Sequence, residues 1–436
     1  MIDLNDLRTR PDAYTKAAKD KNINVDVDAF FALDDKRKEL LPGVEELRKT
    51  QNEASKQIPK LSGDDKQELL DEMKTVSTSL KEKEAELKTV EEEWKAMQYT
   101  FPSVPLASVP VGKDDSENVE VRTWGDIKTM LGSVAPDKAK DHVTLGEDLD
   151  ILDIPRGAKV GGARSYFLKG DGARLQQAVM RYTMDSLTEK GWTLFCPPLM
   201  ATYECFMGTG FFPGADENQI YVVGGKNEET GAMESDNLHL IGTSEVTVCS
   251  YHKDEIVDAD TLPKRYAGYS ACFRREAGSY GKDTKGLYRV HQFEKVEQVV
   301  LCKADQKEAL KIFEEIRNNA EDVLQALKLP YRVIDVCTGD MGKGKVFMQD
   351  IETWMPSRNS YGETHSCSYL GDFQARRLNI RYDDNGEKKF VHTLNNTCVA
   401  SPRILIPILE MYQNDDGTIT VPEVLRPYMN GQEVIG

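Results

Sequence analysis

Hydrophobic residues recur at spacings of four and three between residues 69 and 97. The stripe consists of Leu69, Met73, Val76, Leu80, Leu87, Val90, Trp94 and Met97. Lys83 alone departs from this register, which lasts for four heptads with charged residues at the other positions. A repeat of this kind predicts a long helix that buries one seam against a partner helix.

A second stripe precedes the first. It consists of Phe30, Leu33, Leu40, Val44, Leu47, Ala54 and Ile58, with Arg37 and Gln51 as polar exceptions. Residues 59–65, PKLSGDD, contain the Pro and Gly of a turn and an Asp suited to capping the next helix. The phase continues across Pro42 and Gly43, so we expect a kink there. Together the stripes predict an antiparallel helical hairpin.

The Pro-rich segment 101–110 predicts that the second helix ends near Tyr99. Beyond it, short β-rich runs alternate with helix-like stretches and turns. Examples are residues 219–223, 296–301 and 331–336. We therefore expect an α+β protein with two domains, a hairpin arm at 1–110 and a larger domain at 111–436.

Composition narrows the class of protein. The 436 residues are 39% hydrophobic and 30% charged, which excludes a disordered chain. Apolar runs such as 404–409 are far shorter than the roughly 18 residues of a membrane helix. No signal-peptide pattern begins the chain, so we expect a cytoplasmic protein. The net charge of −17 argues against general DNA coating but leaves room for a local basic face.

The eight cysteines have no metal-binding or redox spacing, and we expect reduced, mostly buried thiols. The segment with the most evident chemistry is 272–297, CFRREAGSYGKDTKGLYRVHQFEKVE. Its cations suit phosphate, and its glycines suit a loop that approaches a ligand closely. Phe293 could stack on a base, and Glu294 and Glu297 could hold Mg²⁺ or an ammonium group. Composition alone also permits a charged loop over solvent.

Residues 273–276, FRRE, with the following loop and HQFEKVE, resemble motif 2 of class II aminoacyl-tRNA synthetases, specifically seryl-tRNA synthetases of the bacterial and eukaryotic type. Residues 190–198 resemble motif 1, and 240–245 resemble the Thr-x-Glu loop. Residues 392–403 resemble motif 3. The helical arm is also a family feature, so the resemblance covers essentially the whole chain.

The resemblance implies a class II catalytic domain on an antiparallel β-sheet with flanking helices, and a homodimer formed through motif 1. It implies ATP and Mg²⁺ as substrate and cofactor. The expected reaction activates serine as seryl-adenylate and transfers it to the 3′ end of tRNA(Ser), and also of tRNA(Sec). No membrane partner is expected.

The resemblance also implies the ATP site. Its residues are Arg274, Arg275, Glu276, Arg289, Val290, Phe293, Glu363, Thr364, His365, Ser366 and Arg403. Arg274 would bind the α-phosphate and Arg403 the γ-phosphate, and these two are the expected catalytic residues. Glu276 would contact adenine, and Val290 and Phe293 would form its platform. Glu363 and Ser366 would bind Mg²⁺.

The implied serine site is a small polar pocket. Its residues are Thr243, Ser244, Glu245, Arg274, Glu297, Asn395 and Thr397. Such a pocket holds the ammonium and hydroxyl of serine, whereas alanine leaves buried polar groups unpaired and threonine adds a methyl group.

In the arm, Lys49 and Lys56 are seven residues apart on one helix face, and Lys60 follows at the turn. Acidic residues outnumber basic ones over 1–110, so a merely solvated face is an open alternative. The resemblance favours contact of these lysines with the long variable arm of serine tRNA.

Several positions depart from the common family pattern. They are Phe211, Phe212, Gly242, His365, Asn396 and Thr397. His365 stands where a small hydroxyl residue is usual, and we expect it to pack rather than to bind. Two other functions are alternatives: a ligase for a carrier protein, disfavoured by the long arm, and a non-catalytic tRNA-binding protein, disfavoured by the complete set of charged ligands.

Overall fold

The computed structural model describes residues 1–278 and 286–436 of the chain and divides into two compact units, Met1–Pro102 and Ser103–Gly436. The division falls eight residues before the predicted boundary at 110. The reason is packing, since Leu106 and Val109 lie in an apolar cluster with Val336 in the second unit. In the described part of the chain, no helix is both long and apolar enough to cross a membrane.

The first unit is helical. Its helices are α1 (Leu4–Thr9), α2 (Pro11–Asp20), α3 (Val27–Gln57) and α4 (Asp64–Thr100). The two long helices cover the predicted stripes, and α4 ends one residue after the predicted Tyr99. α3 runs through Pro42 without a break in its helical assignment. Gly63, rather than an aspartate, occupies the N-cap of α4, so Asp64 and Asp65 lie in the first turn, where their charge favours the helix dipole.

The seam between α3 and α4 is apolar with ion pairs at its margins. Val44, Leu80 and Leu87 are buried in one cluster. Arg48 Nε lies 2.7 Å from Glu84 Oε1, which joins the two helices at the surface. Lys83, the residue that breaks the heptad register, fits because it lies against Gly43: a Cβ built on that glycine would be 3.1 Å from Lys83 Nζ.

The helices of the second unit are α5 (His142–Asp148), α6 (Ile154–Gly161), α7 (Gly170–Glu189), α8 (Tyr203–Thr209), α9 (Glu245–Ser250), α10 (Gln306–Ala326), α11 (Phe373–Leu378) and α12 (Leu405–Met411). The strands are β1 (Val119–Trp124), β2 (Leu152–Asp153), β3 (Phe167–Leu168), β4 (Thr193–Phe195), β5 (Met200–Thr202), β6 (Val222–Lys226), β7 (Met233–Leu240), β8 (Ile256–Val257), β9 (Lys264–Phe273), β10 (Gln292–Cys302), β11 (Tyr331–Asp335), β12 (Phe347–Met355), β13 (Ser360–Gly371), β14 (Arg381–Asp384), β15 (Glu387–Phe390), β16 (His392–Ser401), β17 (Ile419–Thr420) and β18 (Val434–Ile435).

A large sheet organises this unit, with strand order β1-β11-β12-β13-β16-β10-β9-β4. Its described pairings are antiparallel apart from β4 with β9. This confirms the predicted α+β class and the antiparallel sheet. Smaller sheets join β5-β7-β6, β15-β14-β8, β17-β18 and β2-β3.

The central strand β10 separates core from site. Val296 and Val300 point into the main core, where they share a cluster with residues of α7 and α10. Successive side chains of a strand point to opposite faces, so Phe293, Lys295 and Glu297 share the other face. That face carries the candidate site.

Candidate active site

The antiparallel pair β9 and β10 sets Arg274 beside an aromatic ring. Arg274 follows the end of β9, and its Nε donates a hydrogen bond to the carbonyl oxygen of Gly242 at 3.3 Å. The guanidinium carbon lies 5.2 Å from the centre of the Phe293 ring. His291 Nδ1 lies 3.0 Å from the carbonyl oxygen of Arg274. The guanidinium is therefore held between the Thr-x-Glu loop and the ring, a favourable cation–π position.

A second charged pair follows in the same segment. Arg289 Nη1 lies 3.4 Å from Glu276 Oε2, and Glu276 has the unusual φ of +50°. Val290 is buried beside them. Arg275 is exposed, and its backbone N–H donates to the Gln219 carbonyl oxygen. Lys282 and Lys285, two of the cations in segment 272–297 that suit phosphate, lie outside the described residues.

β13 and the segment after β16 bring together Glu363 and Arg403. Arg403 Nη1 donates to the Glu363 carbonyl oxygen at 2.8 Å and lies 3.5 Å from Glu363 Oε2. Arg403 Nε also donates to the carbonyl oxygen of Tyr288 at 3.1 Å, and its guanidinium lies over that ring. The Glu363 side chain is 48% exposed, so this carboxylate faces solvent.

Thr364 and His365, both expected at the ATP site, turn their side chains inward. Thr364 Oγ1 lies 2.7 Å from Thr353 Oγ1 and 2.8 Å from His365 Nδ1. Burial lowers the pKa of His365 to about 3, so the imidazole is neutral. These side chains pack in the interior, which leaves only their main chain for a nucleotide. The expectation that His365 packs agrees with this position.

Several residues predicted to bind the substrate serine lie together in a buried charged cluster. Glu297 is 2% exposed, and Thr397 Oγ1 donates to its Oε2 at 3.2 Å. Thr243 accepts the backbone N–H of Glu245 at 3.2 Å. Glu245 Oε1 accepts a hydrogen bond from Gln374 Nε2 at 2.7 Å. Burial, and next the nearby charge of Glu297, raise the pKa of Glu245.

Sequence reasoning missed Lys295 in this cluster. Its Nζ lies 2.6 Å from Glu297 Oε2 and donates to Thr243 Oγ1 at 2.7 Å. Lys295 is two residues before Glu297 on the same strand face, and that spacing was the available signal. A lysine among charged loop residues reads as a surface residue until the strand register is known.

Two other residues predicted to bind the substrate serine are Ser244 and Asn395, and both are buried. Ser244 is fully buried, and its Oγ donates to the Gly268 carbonyl oxygen at 3.0 Å, so its side chain anchors the start of α9 to β9. Asn395 is buried on β16. Its neighbour Asn396 points the other way and donates to the Ile316 carbonyl oxygen of α10.

A buried acid, Asp350, lies beneath the predicted metal residues. β12 pairs Asp350 with Ser366 on β13, and the two side chains are hydrogen-bonded. Burial and the charge of Glu363 raise the pKa of Asp350. Its Oδ1 is buried and has no hydrogen-bond partner among the described residues. Carboxylate and hydroxyl oxygens are the ligands that Mg²⁺ prefers, so the donors present here fit that ion.

A cavity of about 510 Å³ lies where β9 ends and β10 begins. Arg164, Tyr221, Phe273, His291 and Gln292 are among its lining residues. The residues expected to bind ATP and serine do not line it.

Lys49, Lys56 and Lys60 are all exposed in the first unit. Lys49 and Lys56 belong to α3, and Lys60 belongs to the short 3₁₀ turn Ile58–Lys60. Within the described residues, none of the three forms an ion pair, so their charge is directed to solvent. This is compatible with phosphate contact and with a solvated face.

Family models match both parts of the chain. The seryl-tRNA synthetase N-terminal domain matches residues 1–105, and the tRNA synthetase class II core domain (G, H, P, S and T) matches residues 228–412.

Individual relatives match over the full length. The serine–tRNA ligase of Deinococcus radiodurans is 46% identical, with 100% of this chain and 99% of that protein covered. The serine–tRNA ligase of Symbiobacterium thermophilum is 42% identical over the whole of both chains. The crystal structure of Pyrococcus horikoshii seryl-tRNA synthetase complexed with ATP has a TM-score of 0.84 at 34% identity, and the alignment covers 100% of this chain and 99% of that one. The chain therefore belongs to the serine–tRNA ligase family of class II aminoacyl-tRNA synthetases.

Proposed function

We propose that the chain joins serine to the 3′ end of tRNA(Ser) in two steps, through seryl-adenylate. The observation that carries this proposal is the shared face of β10. Phe293, which stacks under the Arg274 guanidinium, and Glu297, in the buried carboxylate cluster, project from that one face. A site for a base and phosphate thus adjoins a site for a small ammonium compound.

In the first step, a serine carboxylate oxygen attacks the α-phosphorus of ATP. A new C–O–P bond forms, the α–β phosphoanhydride bond breaks, and pyrophosphate leaves with its electron pair. Arg274 stabilises the charge that develops on the α-phosphoryl oxygens, and Arg403 binds the γ-phosphate. Arg275 and Arg289 supply further positive charge, and Glu276 and Val290 bind adenine. Holding both substrates in line provides most of the catalysis, without a protein nucleophile.

The pocket selects serine through its polar groups. Glu245 and Glu297 bind the ammonium group, and Thr243, Asn395 and Thr397 surround the side-chain hydroxyl. Alanine would leave these buried groups unpaired, which costs specificity-determining binding energy.

Glu363 and Ser366 would hold Mg²⁺, with Asp350 behind Ser366. When bound, this ion neutralises charge on the ATP phosphates and on the leaving pyrophosphate. Arg403, hydrogen-bonded to the Glu363 main chain, orients that carboxylate from the side of the γ-phosphate.

In the second step, a terminal ribose hydroxyl of tRNA attacks the activated carbonyl carbon, and AMP leaves. We propose that Lys49, Lys56 and Lys60 bind phosphates of the tRNA variable arm, because all three are exposed and form no ion pair with the residues that the structure describes. On the family resemblance, the proposal extends to tRNA(Sec).

The proposal includes a homodimer. β4 ends the large sheet in the motif 1 region, and exposed apolar residues lie on and near it: Leu194, Leu199, Met200, Tyr203 and Tyr251. Such a patch on an edge strand supports a homodimer.

The proposal also includes a cytoplasmic location. The eight free cysteines suit a reducing compartment, which supports this location.

The first experiment is amino-acid-dependent ATP–pyrophosphate exchange, with serine compared against threonine, alanine and the other amino acids. Exchange with serine alone is the expected result. No exchange with any amino acid, from folded protein that binds ATP, would favour the non-catalytic alternative. Exchange without charging of tRNA(Ser) would favour the carrier-protein alternative.

A further inference from the structure

The most unusual charge in the site is a lysine almost completely removed from solvent. Lys295 is 5% exposed, although lysine is rarely buried unless it is paired. It lies on β10 opposite Ser270 of β9 and Ala400 of β16, so strands flank it on both sides. A rigid sheet therefore fixes the direction in which this side chain leaves the backbone.

The ammonium group of Lys295 joins two separate elements of the amino-acid pocket. It contacts Glu297 on its own strand at 2.6 Å and Thr243 in the Thr-x-Glu loop at 2.7 Å. An ammonium group has three N–H donors, so one donor has no acceptor among the described residues. Thr243 in turn accepts the Glu245 backbone N–H, so Lys295 lies at the centre of the pocket's hydrogen bonds.

We propose that Lys295 is a positioning residue of the amino-acid pocket: it holds Glu297 and Thr243 in the places from which they bind the ammonium group and the hydroxyl of the amino acid. The inference rests on the proposed serine site. It assigns Lys295 to recognition of the amino acid and not to ATP.

The charges around Glu245 explain why the pocket needs a buried lysine. A buried carboxylate that takes up a proton binds an ammonium group poorly, and a nearby cation opposes that protonation. Glu245 accepts a hydrogen bond from Gln374, and the charges of Glu297, Lys345 and Lys295 act on it through space. Burial and Glu297 raise the pKa of Glu245, while Gln374 and the two lysines act in the opposite direction. Removal of Lys295 therefore raises the pKa of Glu245 further.

The test compares wild type with Lys295→Met and Lys295→Gln in the full chain. Glutamine retains a donor for Thr243 but carries no charge. At pH 7 we expect both variants to raise the KM for serine in pyrophosphate exchange by about tenfold or more, because a buried charged hydrogen-bond partner is lost, with the KM for ATP changed less than about twofold. The matched control is Lys303→Met, which removes a lysine just after the same strand.

A pH series distinguishes positioning from mere folding support. In the Lys295 variants, the KM for serine should fall as the pH is raised and Glu245 loses its proton, while wild type and Lys303→Met show a weaker dependence. Calorimetry in two buffers of different ionisation enthalpy should show that serine binding releases more protons from the variants than from wild type.

Three results would overturn the inference. One is an unchanged KM for serine in both variants. Another is a pH-independent loss that affects ATP and serine equally, which would show a structural role. The third is wild-type protein without serine-dependent exchange, and that result alone would also defeat the proposed function. If Lys295→Met does not fold, the KM values of Lys295→Gln and its proton release on serine binding, compared with wild type, still decide the question.

Discussion

Individual side chains in the site differ chiefly in whether they face a ligand or the interior. Arg274 is held at its Nε and over a ring, which leaves the outer edge of the guanidinium for an anion. Thr364 and His365 belong to the same predicted segment as Glu363, yet their side chains are buried. A bulge explains the change, because β12 pairs Ile351 with His365 but Glu352 with Glu363, and Thr364 is the additional residue.

Arg274→Ala should lower kcat for serine-dependent pyrophosphate exchange by about 10²–10³-fold, the cost of removing one preorganised donor from a developing charge. Arg274→Lys should recover only part of this activity, because an ammonium group lacks the planar fork. Arg156→Ala, which removes an exposed arginine on α6, is the control. Wild-type exchange rates in Arg274→Ala would contradict the α-phosphate assignment.

His365 gives a pH dependence of stability. Its pKa is about 3 in the folded chain and about 6.5 when unfolded, so between these values the unfolded chain binds the additional proton. The free energy of unfolding therefore falls as pH decreases through this window, by about 2 kcal/mol from pH 6.5 to pH 5. Urea unfolding at both pH values should show a smaller decrease for His365→Gln than for wild type. Equal decreases would show that His365 is protonated in the native state.

At the scale of elements, the arm is stabilised by matched irregularities. Pro42 and Gly43 weaken α3, and Lys83 breaks the apolar seam of α4, but the missing side chain at Gly43 makes room for that lysine. The buried Asp34 at the other end of α3 pairs with Arg8 of α1 and with Lys38. This pairing ties the short N-terminal helix to the hairpin.

Gly43→Ala should stabilise α3 by about 0.5–1 kcal/mol, because alanine has a higher helix propensity. The new Cβ meets only the flexible end of Lys83. Amide hydrogen exchange in Val27–Gln57 should slow by about two- to fivefold. Gly63→Ala is the matched control: its φ of +64° disfavours any side chain, so exchange at the start of α4 should become faster. Faster exchange in Gly43→Ala would show that Lys83 cannot move aside.

At the scale of the whole molecule, the proposed function assigns activation and tRNA binding to different units of the chain. The residues proposed to bind ATP and serine all belong to Ser103–Gly436, and the exposed lysines belong to Met1–Pro102. Substitution of the three lysines should therefore leave the activation of serine by ATP unchanged.

The triple variant Lys49→Glu, Lys56→Glu, Lys60→Glu should keep wild-type pyrophosphate exchange but raise the KM for tRNA(Ser) in charging by about tenfold or more. Charging by wild type should also weaken more steeply with added salt than charging by the variant, because fewer phosphate contacts release fewer counterions. The control is the triple variant Lys49→Arg, Lys56→Arg, Lys60→Arg, which keeps all three positive charges and should behave as wild type. Equal KM values for all three proteins would support the solvated-face alternative.

The sequence allowed prediction of both long helices because a heptad stripe is a strong, local signal. α1 and α2 were not predicted, since helices of 6 and 10 residues are too short for a clear period. The family resemblance supplied Glu297 and Thr243 but not the lysine that joins them. That contact requires the register of β10 against its neighbours, a long-range property that no local pattern encodes. The inward turn of Thr364 likewise depends on the bulge where its own strand pairs with β12, and the position of that bulge is set by the register of the sheet.

The placement of Phe293 and Glu297 on one strand has a mechanical consequence. Four residues of β-strand span about 13–14 Å, and a strand paired on both sides can hardly be stretched. On the proposed assignments, this rigid strand fixes the separation between the nucleotide base beside Phe293 and the amino group beside Glu297. A change of amino-acid specificity would then have to come from the side chains around Glu297, because the backbone does not allow that separation to change.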